Sequence, residues 1–281
     1  MSKSIVGSNK DRNNKPRRRV SIHGKPKAGK TIGALGLVEG MGVLMKRFNM
    51  TAAQLQKEKW TKVNALWVSA DTNATEGARV RRIEVPEIDM ASMFVDAQTD
   101  MLTILEEVTD AVYDHVEKEK PQLVCIDTAS ALDKPVIRYL EENGPRTKSG
   151  ARDSFAIWRM NINMHERFHT NMSSLPCDVI FLMHSKPRSD SESSAKKDRS
   201  QNLAGGLADI RFDFSYQDVD NIYCRHTDLI LCADKVKNGT EYEHALFNEE
   251  HAGFMVGSRY GNLVPGRITK TLWETFQDVE K

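Results

Sequence analysis

Residues 24–31 carry glycines, lysines and a threonine at a spacing suited to phosphate binding. The stretch reads Gly-Lys-Pro-Lys-Ala-Gly-Lys-Thr and follows a β-type run at Val20 and Ile22. Glycine lets the backbone curl so that successive N–H groups point at phosphate oxygens, and the start of a following helix adds a positive field. This is the P-loop pattern in its strand–loop–helix context. The predicted phosphate-binding residues are Gly24, Lys25, Pro26, Lys27, Ala28, Gly29, Lys30 and Thr31.

One distant carboxylate completes the predicted chemistry of this loop. Lys30 is expected to reach the β- and γ-phosphates, and the Thr31 hydroxyl is expected to ligate Mg²⁺. Asp127 directly follows an apolar run of four residues, about a hundred residues after the loop. A carboxylate that ends a buried strand beside a P-loop holds the Mg²⁺ shell opposite the threonine. We therefore predict ATP and Mg²⁺ as ligands.

Further polar side chains are predicted at the ends of other strands. Asp71 and Glu76 follow an apolar strand over 62–70, and His184 ends another over 176–184. Ligand sites in open α/β sheets lie at the carboxyl ends of the strands. These three residues therefore join the candidate catalytic residues.

A competing motif lies on a predicted helix over 153–174. His165, Glu166 and His169 match the HExxH pattern, in which two histidines one turn apart bind zinc and the glutamate acts as a base. The longer zinc motif fails because methionine stands where it has glycine, and no third ligand is evident at a suitable spacing.

Packing offers another explanation of the two histidines. In the predicted helix they continue an apolar face that carries Phe155, Trp158 and Ile162. This helix would also fill the slot between two core strands. The face is therefore expected to be buried.

Alternating strands and helices must position these residues. The chain has 281 residues, of which 40% are hydrophobic and 28% charged, which suits one large α/β domain with appendages. Strands that alternate with helices predict a mostly parallel, twisted sheet flanked by helices. A turn at Asn238 and Gly239 adds a β-hairpin to the C-terminal part. The predicted strands lie over 18–23, 62–70, 122–127, 176–184 and 227–235.

The composition also bears on location and partners. No apolar run approaches the roughly 20 residues of a membrane helix, so no membrane partner is expected. The four cysteines show no CxxC pairing, which is typical of reduced thiols. The basic N-terminus lacks the apolar segment of a secretory signal. We therefore expect a cytoplasmic protein.

Three regions are predicted along the chain. Residues 1–17 are rich in Lys, Arg, Ser and Asn and are expected to form a disordered basic arm. Residues 18–248 would form the core. Residues 249–281 would form a C-terminal extension packed on it.

The order of these features resembles the RecA-like P-loop ATPase core, and more narrowly the phage-type RecA-like ATPases of single-strand annealing and recombination. The resemblance covers about residues 18–240 and rests on the P-loop, the strand-end acids and the later strand-end histidine. It implies that Asp71 stands where RecA has the glutamate that activates the attacking water. Glu76 is the alternative candidate for that role. The resemblance also implies that His184 senses the γ-phosphate. If the protein is encoded by a phage, its expected location is the host cytoplasm.

The resemblance further implies two DNA-binding loops, over 143–153 and 186–206. The second loop holds five basic and three acidic residues, with no aromatic side chain for stacking on bases. Lys235 and Lys237 would reach the γ-phosphate of a neighbouring subunit, as an arginine finger does. The candidate DNA-binding residues are Arg146, Lys148, Arg152, Lys186, Arg188, Lys196, Lys197 and Arg199.

The predicted function is that of a Mg²⁺-dependent ATPase that acts on single-stranded DNA and is stimulated by it. Lysines supplied between subunits would require a homo-oligomer, either a ring or a filament. One alternative is a non-catalytic mediator that anneals strands and is modulated by ATP. A second alternative is a small-molecule kinase in which residues 186–206 form a lid.

Overall fold

Strands and helices alternate along the part of the chain that the structure describes. The computed structural model describes residues 17–35, 64–71, 86–93, 100–187, 210–249, 254–259 and 266–268. The strands are β1 (Arg19–Gly24), β2 (Ala65–Ser69), β3 (Glu87–Asp89), β4 (Leu123–Asp127), β5 (Asp178–Pro187), β6 (Ile210–Phe212), β7 (Leu229–Asn238), β8 (Glu241–Phe247) and β9 (Gly257–Ser258). The helices are α1 (Lys30–Leu35), α2 (Met90–Met93), α3 (Met101–Glu119), α4 (Asp133–Asn143), α5 (Ser154–Ser173) and α6 (Gln217–Arg225).

The described strands form one mixed sheet with the order β3-β2-β4-β5-β1-β7-β8. All neighbours from β3 to β7 are parallel, whereas β8 and β9 pair antiparallel with β7, and β6 pairs antiparallel with β5. The predicted α/β class with a mostly parallel sheet is confirmed. Strand β5 lies between the P-loop strand β1 and the Asp127 strand β4, so the carboxyl ends of all three meet at one edge.

The central strands are covered on both faces, as parallel sheets require. Every residue of β1, β2 and β4 is buried. Helix α3 packs an apolar stripe that includes Ile104, Val108 and Val112 against this sheet. The Asp100 carboxylate caps its first turn by accepting from the Leu102 N–H at 2.9 Å.

The predicted apolar face of helix α5 is only partly buried: Ile162 packs against the core and Trp158 is half-buried, whereas Phe155 is exposed. Phe155 is 68% exposed, and its ring contacts Trp158 with centroids 5.2 Å apart. The buried face instead carries Ile157, Asn161, Met164, His165, Phe168, His169 and Met172. Both sets of residues recur at a helical period, so periodicity alone does not choose between them.

Strand β5 is longer than the sequence indicates, because His184 does not end it. The strand continues to Pro187, and Ser185 to Pro187 pair antiparallel with β6. The predicted loop over 186–206 therefore begins inside a strand.

The predicted C-terminal hairpin is present. Strands β7 and β8 pair from Cys232 opposite Phe247 to Asn238 opposite Glu241, and Gly239 turns the chain with φ 64°. Phe254 packs with the buried side of this hairpin. Within the described ranges, no helix is both long enough and apolar enough to cross a membrane. The predicted arm lies outside the described residues, except for Arg17.

Candidate active site

The P-loop connects the end of β1 to the start of α1. Lys27 and Gly29 adopt positive φ angles of 63° and 95°, which curl the backbone. A Cβ on Gly24 would lie 2.3 Å from the carbonyl oxygen of Ala233 on the neighbouring strand, so only glycine fits there. The first helical hydrogen bond runs from the Gly33 N–H to the Gly29 carbonyl at 2.8 Å. The backbone N–H groups at the helix start are thereby left for an anion.

The Lys30 ammonium is buried within this curl. Its Nζ donates to the carbonyl oxygens of Gly24 and Lys25, both at 3.1 Å. Burial lowers the pKa of Lys30 to about 8, against the opposing attraction of Asp127 and Asp71. The lysine is therefore held at the loop, where it can meet phosphate charge.

Thr31 and Asp127 are brought together across the sheet edge. Thr31 Oγ1 donates to Asp127 Oδ2 at 2.8 Å, and Trp67 Nε1 donates to the same oxygen at 3.3 Å. Burial raises the pKa of Asp127 to about 6, although both hydrogen bonds and Lys30 oppose this. The sequence did not predict this contact of Trp67, because Trp67 lies in an apolar run that gives no sign of a polar role.

Asp71 and His184 complete the cluster. His184 Nε2 lies 3.7 Å from Asp71 Oδ2, and Nδ1 lies 3.3 Å from Lys30 Nζ. Burial and then Lys30 lower the pKa of His184, while Asp71 raises it. The His184 backbone N–H donates to Ser130 Oγ at 2.9 Å, a contact that sequence reasoning missed.

The match to a known family agrees with this geometry. A model of the AAA domain family matches residues 17–217, which is more than half of the chain. The chain belongs to the AAA domain family. Its P-loop lies at the carboxyl end of a parallel strand, as in an α/β P-loop NTPase core.

Two solved structures resemble this AAA domain distantly. The KaiC-like protein of Pyrococcus horikoshii OT3 matches with 9% identity and a TM-score of 0.39, over 81% of this chain and 76% of that chain. The flagellar accessory protein FlaH of Methanocaldococcus jannaschii matches with 12% identity and a TM-score of 0.38, over 82% of this chain and 78% of that chain. No curated protein matches the sequence.

Lys235 and Lys237 lie on the C-terminal β7–β8 hairpin, beyond the residues that match the AAA domain, and both side chains are exposed. Lys235 pairs with His244, whose Nδ1 lies 3.0 Å from the Ala28 carbonyl oxygen of the P-loop. Residues paired directly across antiparallel strands share a face. The two lysines therefore lie on the hairpin face that meets the chain's own P-loop, and their action on a neighbouring subunit stays a prediction.

The loop over 143–153 is a small hydrogen-bonded hairpin. Arg146 donates to the carbonyl oxygens of Glu141 and Glu142 at 3.2 and 3.1 Å, where it caps the end of α4. Arg152 Nη1 lies 3.2 Å from Glu141 Oε2. Lys148 is exposed. Two of the three predicted DNA-binding residues thus already make local contacts.

The structure describes one predicted cation of the second loop. Lys186 Nζ donates to the Phe214 carbonyl and lies 3.7 Å from Asp213 Oδ1. Glu76, the alternative base, lies outside the described residues. So do Arg188, Lys196, Lys197 and Arg199.

The histidines of the HExxH match lie in the core. His165 Nε2 is 3.3 Å from Asp133 Oδ1, and the His169 ring stacks on Phe181 with centroids 4.7 Å apart. Glu166 is exposed. Burial lowers the pKa of His169 to about 3. Within the described ranges, no group of three or more His, Cys, Asp or Glu is arranged to hold a metal ion.

Proposed function

We propose that this protein is a Mg²⁺-dependent ATPase that acts on single-stranded DNA, in recombination or annealing of the phage type. The observation that carries the catalytic part is the 2.8 Å contact between Thr31 Oγ1 and Asp127 Oδ2, directly beside Lys30. A P-loop hydroxyl in contact with a strand-end carboxylate is the arrangement that P-loop NTPases use for Mg²⁺ and triphosphate.

The chemistry of the two oxygen donors fits Mg²⁺. The ion prefers oxygen ligands and retains several waters, so one hydroxyl and one carboxylate are a sufficient protein contribution. Thr31 and Asp127 would hold it. When bound, it would neutralise charge on the β- and γ-phosphate oxygens.

Asp71 is the proposed base for hydrolysis. It lies at the end of β2, exposed and 3.7 Å from His184. Asp71 would accept the proton of the attacking water as the bond forms between the water oxygen and the γ-phosphorus. The bond from that phosphorus to the β–γ bridging oxygen breaks, and ADP and phosphate are released. Lys30 would stabilise the charge that develops on the phosphate oxygens.

An aromatic pair, in which Phe155 is exposed and Trp158 is half-buried, supports the proposal of a single-stranded partner. Phe155 and Trp158 follow the basic hairpin over 143–153 on the first turns of α5, and their rings lie in contact. Aromatic faces beside cations bind unpaired bases by stacking, with no need for a base sequence. Lys148 of that hairpin is exposed and is the proposed contact for phosphate.

His184 is the proposed link between nucleotide and DNA. Its ring touches Lys30 and Asp71, and its carbonyl oxygen accepts from the Asp213 N–H at 2.8 Å. Asp213 follows β6, which pairs with the end of β5 at the start of the predicted second loop. Contact between His184 and a γ-phosphate would therefore bias both ends of that loop.

We also propose a homo-oligomer in which Lys235 or Lys237 reaches a neighbour's phosphate. The exposure of both side chains supports this role. Hydrolysis would then increase with protein concentration, since the site is complete only between subunits.

ATP turnover with and without single-stranded DNA, over a range of protein concentrations, tests the proposal. Turnover is expected to rise with both variables and to be lost in Lys30→Ala. A flat response to DNA and to concentration would overturn the DNA and oligomer parts. If Lys30→Ala anneals complementary strands as well as the wild type, the protein is an annealing mediator for which hydrolysis is dispensable.

A further inference from the structure

Strand β2 turns one face toward the core and the other toward the site. Alternate residues of a strand share a face, so Leu66 and Val68 lie on one side and Trp67 and Ser69 on the other. Leu66 and Val68 belong to the apolar cluster that includes the buried stripe of helix α3. Ser69 is the neighbour of Asp127 on β4, and neighbours in register point to the same side of the sheet. Trp67 therefore lies on the face that carries the Asp127 carboxylate.

The indole of Trp67 and the hydroxyl of Thr31 donate to the same oxygen of that carboxylate. Trp67 Nε1 lies 3.3 Å from Asp127 Oδ2, and Thr31 Oγ1 lies 2.8 Å from it. Each carboxylate oxygen offers about two lone-pair sites, so these two donors satisfy Oδ2. No residue in the described part of the chain donates to Oδ1. The two oxygens thus differ: the protein holds Oδ2, and Oδ1 can serve a ligand.

Trp67 is better suited than Thr31 to keep the carboxylate in one orientation. Its side chain is 0% exposed and has only two rotatable bonds. The indole N–H can only donate, and it would be left buried and unpaired if the carboxylate turned away. The Thr31 hydroxyl rotates freely, and it is also the group expected to ligate Mg²⁺. Rotation of Asp127 is therefore opposed mainly by Trp67.

We propose that Trp67 is a positioning residue for the Mg²⁺ site, in which its N–H holds Asp127 Oδ2 so that Oδ1 stays directed at the ion or its water shell. This inference rests on the proposed Mg²⁺-dependent ATPase function and adds a residue that acts through Asp127. Hydrogen-bond donors behind a ligating carboxylate fix its orientation, and their loss typically weakens metal binding by about 10- to 100-fold.

ATP binding in EDTA and over a titration of Mg²⁺ tests the role of Trp67, because phosphate contacts at Lys30 need no metal ion. Trp67→Phe is expected to weaken the apparent affinity for Mg²⁺ by about 10- to 100-fold and to leave metal-free ATP affinity unchanged. The Mg²⁺ concentration that gives half-maximal turnover should rise by the same factor, whereas turnover at saturating Mg²⁺ should fall less. Trp158→Phe, which removes the half-buried indole of α5, is the matched control and should behave like the wild type.

A second replacement separates the lost N–H from the space that phenylalanine leaves in the core. Replacement of Trp67 by 3-benzothienylalanine keeps the size of the ring and puts sulfur in place of the N–H. This protein should keep the wild-type free energy of unfolding in urea and should bind Mg²⁺ as weakly as Trp67→Phe. Wild-type Mg²⁺ affinity in the benzothienyl protein would overturn the proposed role of the N–H.

The outcomes also separate this inference from the function on which it rests. If the wild type binds no ATP, or if Mg²⁺ changes neither its ATP binding nor its turnover, the proposed function fails. If both replacements of Trp67 weaken metal-free ATP binding as much as Mg²⁺ binding, Trp67 only supports the packing of the site. The positioning role is then wrong, and the proposed function stands.

Discussion

His184 Nε2 lies 3.7 Å from Oδ2 of Asp71, although the two residues are more than a hundred positions apart in the chain. Strands β2 and β5 are separated in the sheet by β4, so the two side chains meet above the end of β4. The proposed base and the proposed γ-phosphate sensor therefore touch each other, and Lys30 touches the same histidine. A change of charge at Asp71 would therefore directly change the electrostatic potential at His184.

Asp71→Asn is expected to lower ATP turnover by about 10²- to 10⁴-fold, which is the usual contribution of a positioned base. Nucleotide affinity should change little, because phosphate binding depends on the P-loop and Lys30. Single-turnover kinetics and equilibrium binding measure the two effects separately. Glu76→Gln is the matched control. If Glu76→Gln loses turnover to this extent and Asp71→Asn loses none, the base is Glu76 and not Asp71.

The pH dependence of kcat/KM should be bell-shaped, with limbs near pH 6 and pH 8. Asp127 has a pKa of about 6 and must be ionised to hold Mg²⁺, so activity is lost as the pH falls through that value. Lys30 has a pKa of about 8 and must be protonated to bind phosphate, so activity is lost as the pH rises through that value. Steady-state kinetics between pH 5 and pH 9.5 give the profile.

Lys30→Arg separates the two limbs. A guanidinium does not titrate in this range, so the residual activity should keep the acid limb and lose the alkaline limb. An alkaline limb that persists near pH 8 in this variant would show that another group causes it.

The P-loop and the strand ends were predictable because local sequence encodes them. Gly24 to Thr31 is one continuous stretch, and Asp71 and Asp127 each follow an apolar run that is buried in the sheet. The partners that come from other elements carry no such signal. Trp67 donates to Asp127 from the neighbouring strand, and Ser130 accepts from the His184 backbone. Only the tertiary fold brings these pairs together.

Helix α5 shows the limit of periodicity as a guide. The residues Phe155, Trp158 and Ile162 recur at a helical spacing, but so do Ile157, Asn161 and Phe168 on the face that is buried. The second set contains a polar residue that pairs with the buried Asp133 carboxylate at 3.2 Å. Buried polar residues make the core face look less apolar than the partly buried face that carries Phe155, Trp158 and Ile162.

His169→Phe should keep the fold and reduce its sensitivity to acid. Burial holds the pKa of His169 near 3, so the folded state stays neutral while the unfolded state takes up a proton below about pH 6.5. The stability present above that pH is therefore lost as the pH falls toward 3. Between pH 7 and pH 5 the variant should lose about 2 kcal/mol less free energy of unfolding than the wild type. Urea titrations at both pH values measure this difference.

The same variant tests the HExxH match. His23 is also buried with a pKa of about 4, so part of the acid sensitivity should remain in His169→Phe. Phenylalanine cannot ligate zinc, but its ring can stack on Phe181 as the His169 ring does. If His169 serves only in packing, the variant should turn over ATP at pH 7 as fast as the wild type. Zinc bound to purified wild-type protein and absent from the variant would contradict the packing role.

Phe155→Ala is expected to reduce the stimulation of ATP turnover by single-stranded DNA and to leave turnover without DNA unchanged. The ring is 68% exposed and rests on Trp158, so its removal opens no cavity in the core. A lost stacking contact should weaken single-stranded DNA binding by at least about fivefold. Phe155→Leu retains apolar bulk without the aromatic face and should be nearly as impaired as the alanine variant, whereas Phe155→Tyr should bind like the wild type. If all three variants bind single-stranded DNA as tightly as the wild type, this surface is not part of the DNA site. The DNA contacts would then have to come from the residues of the second loop.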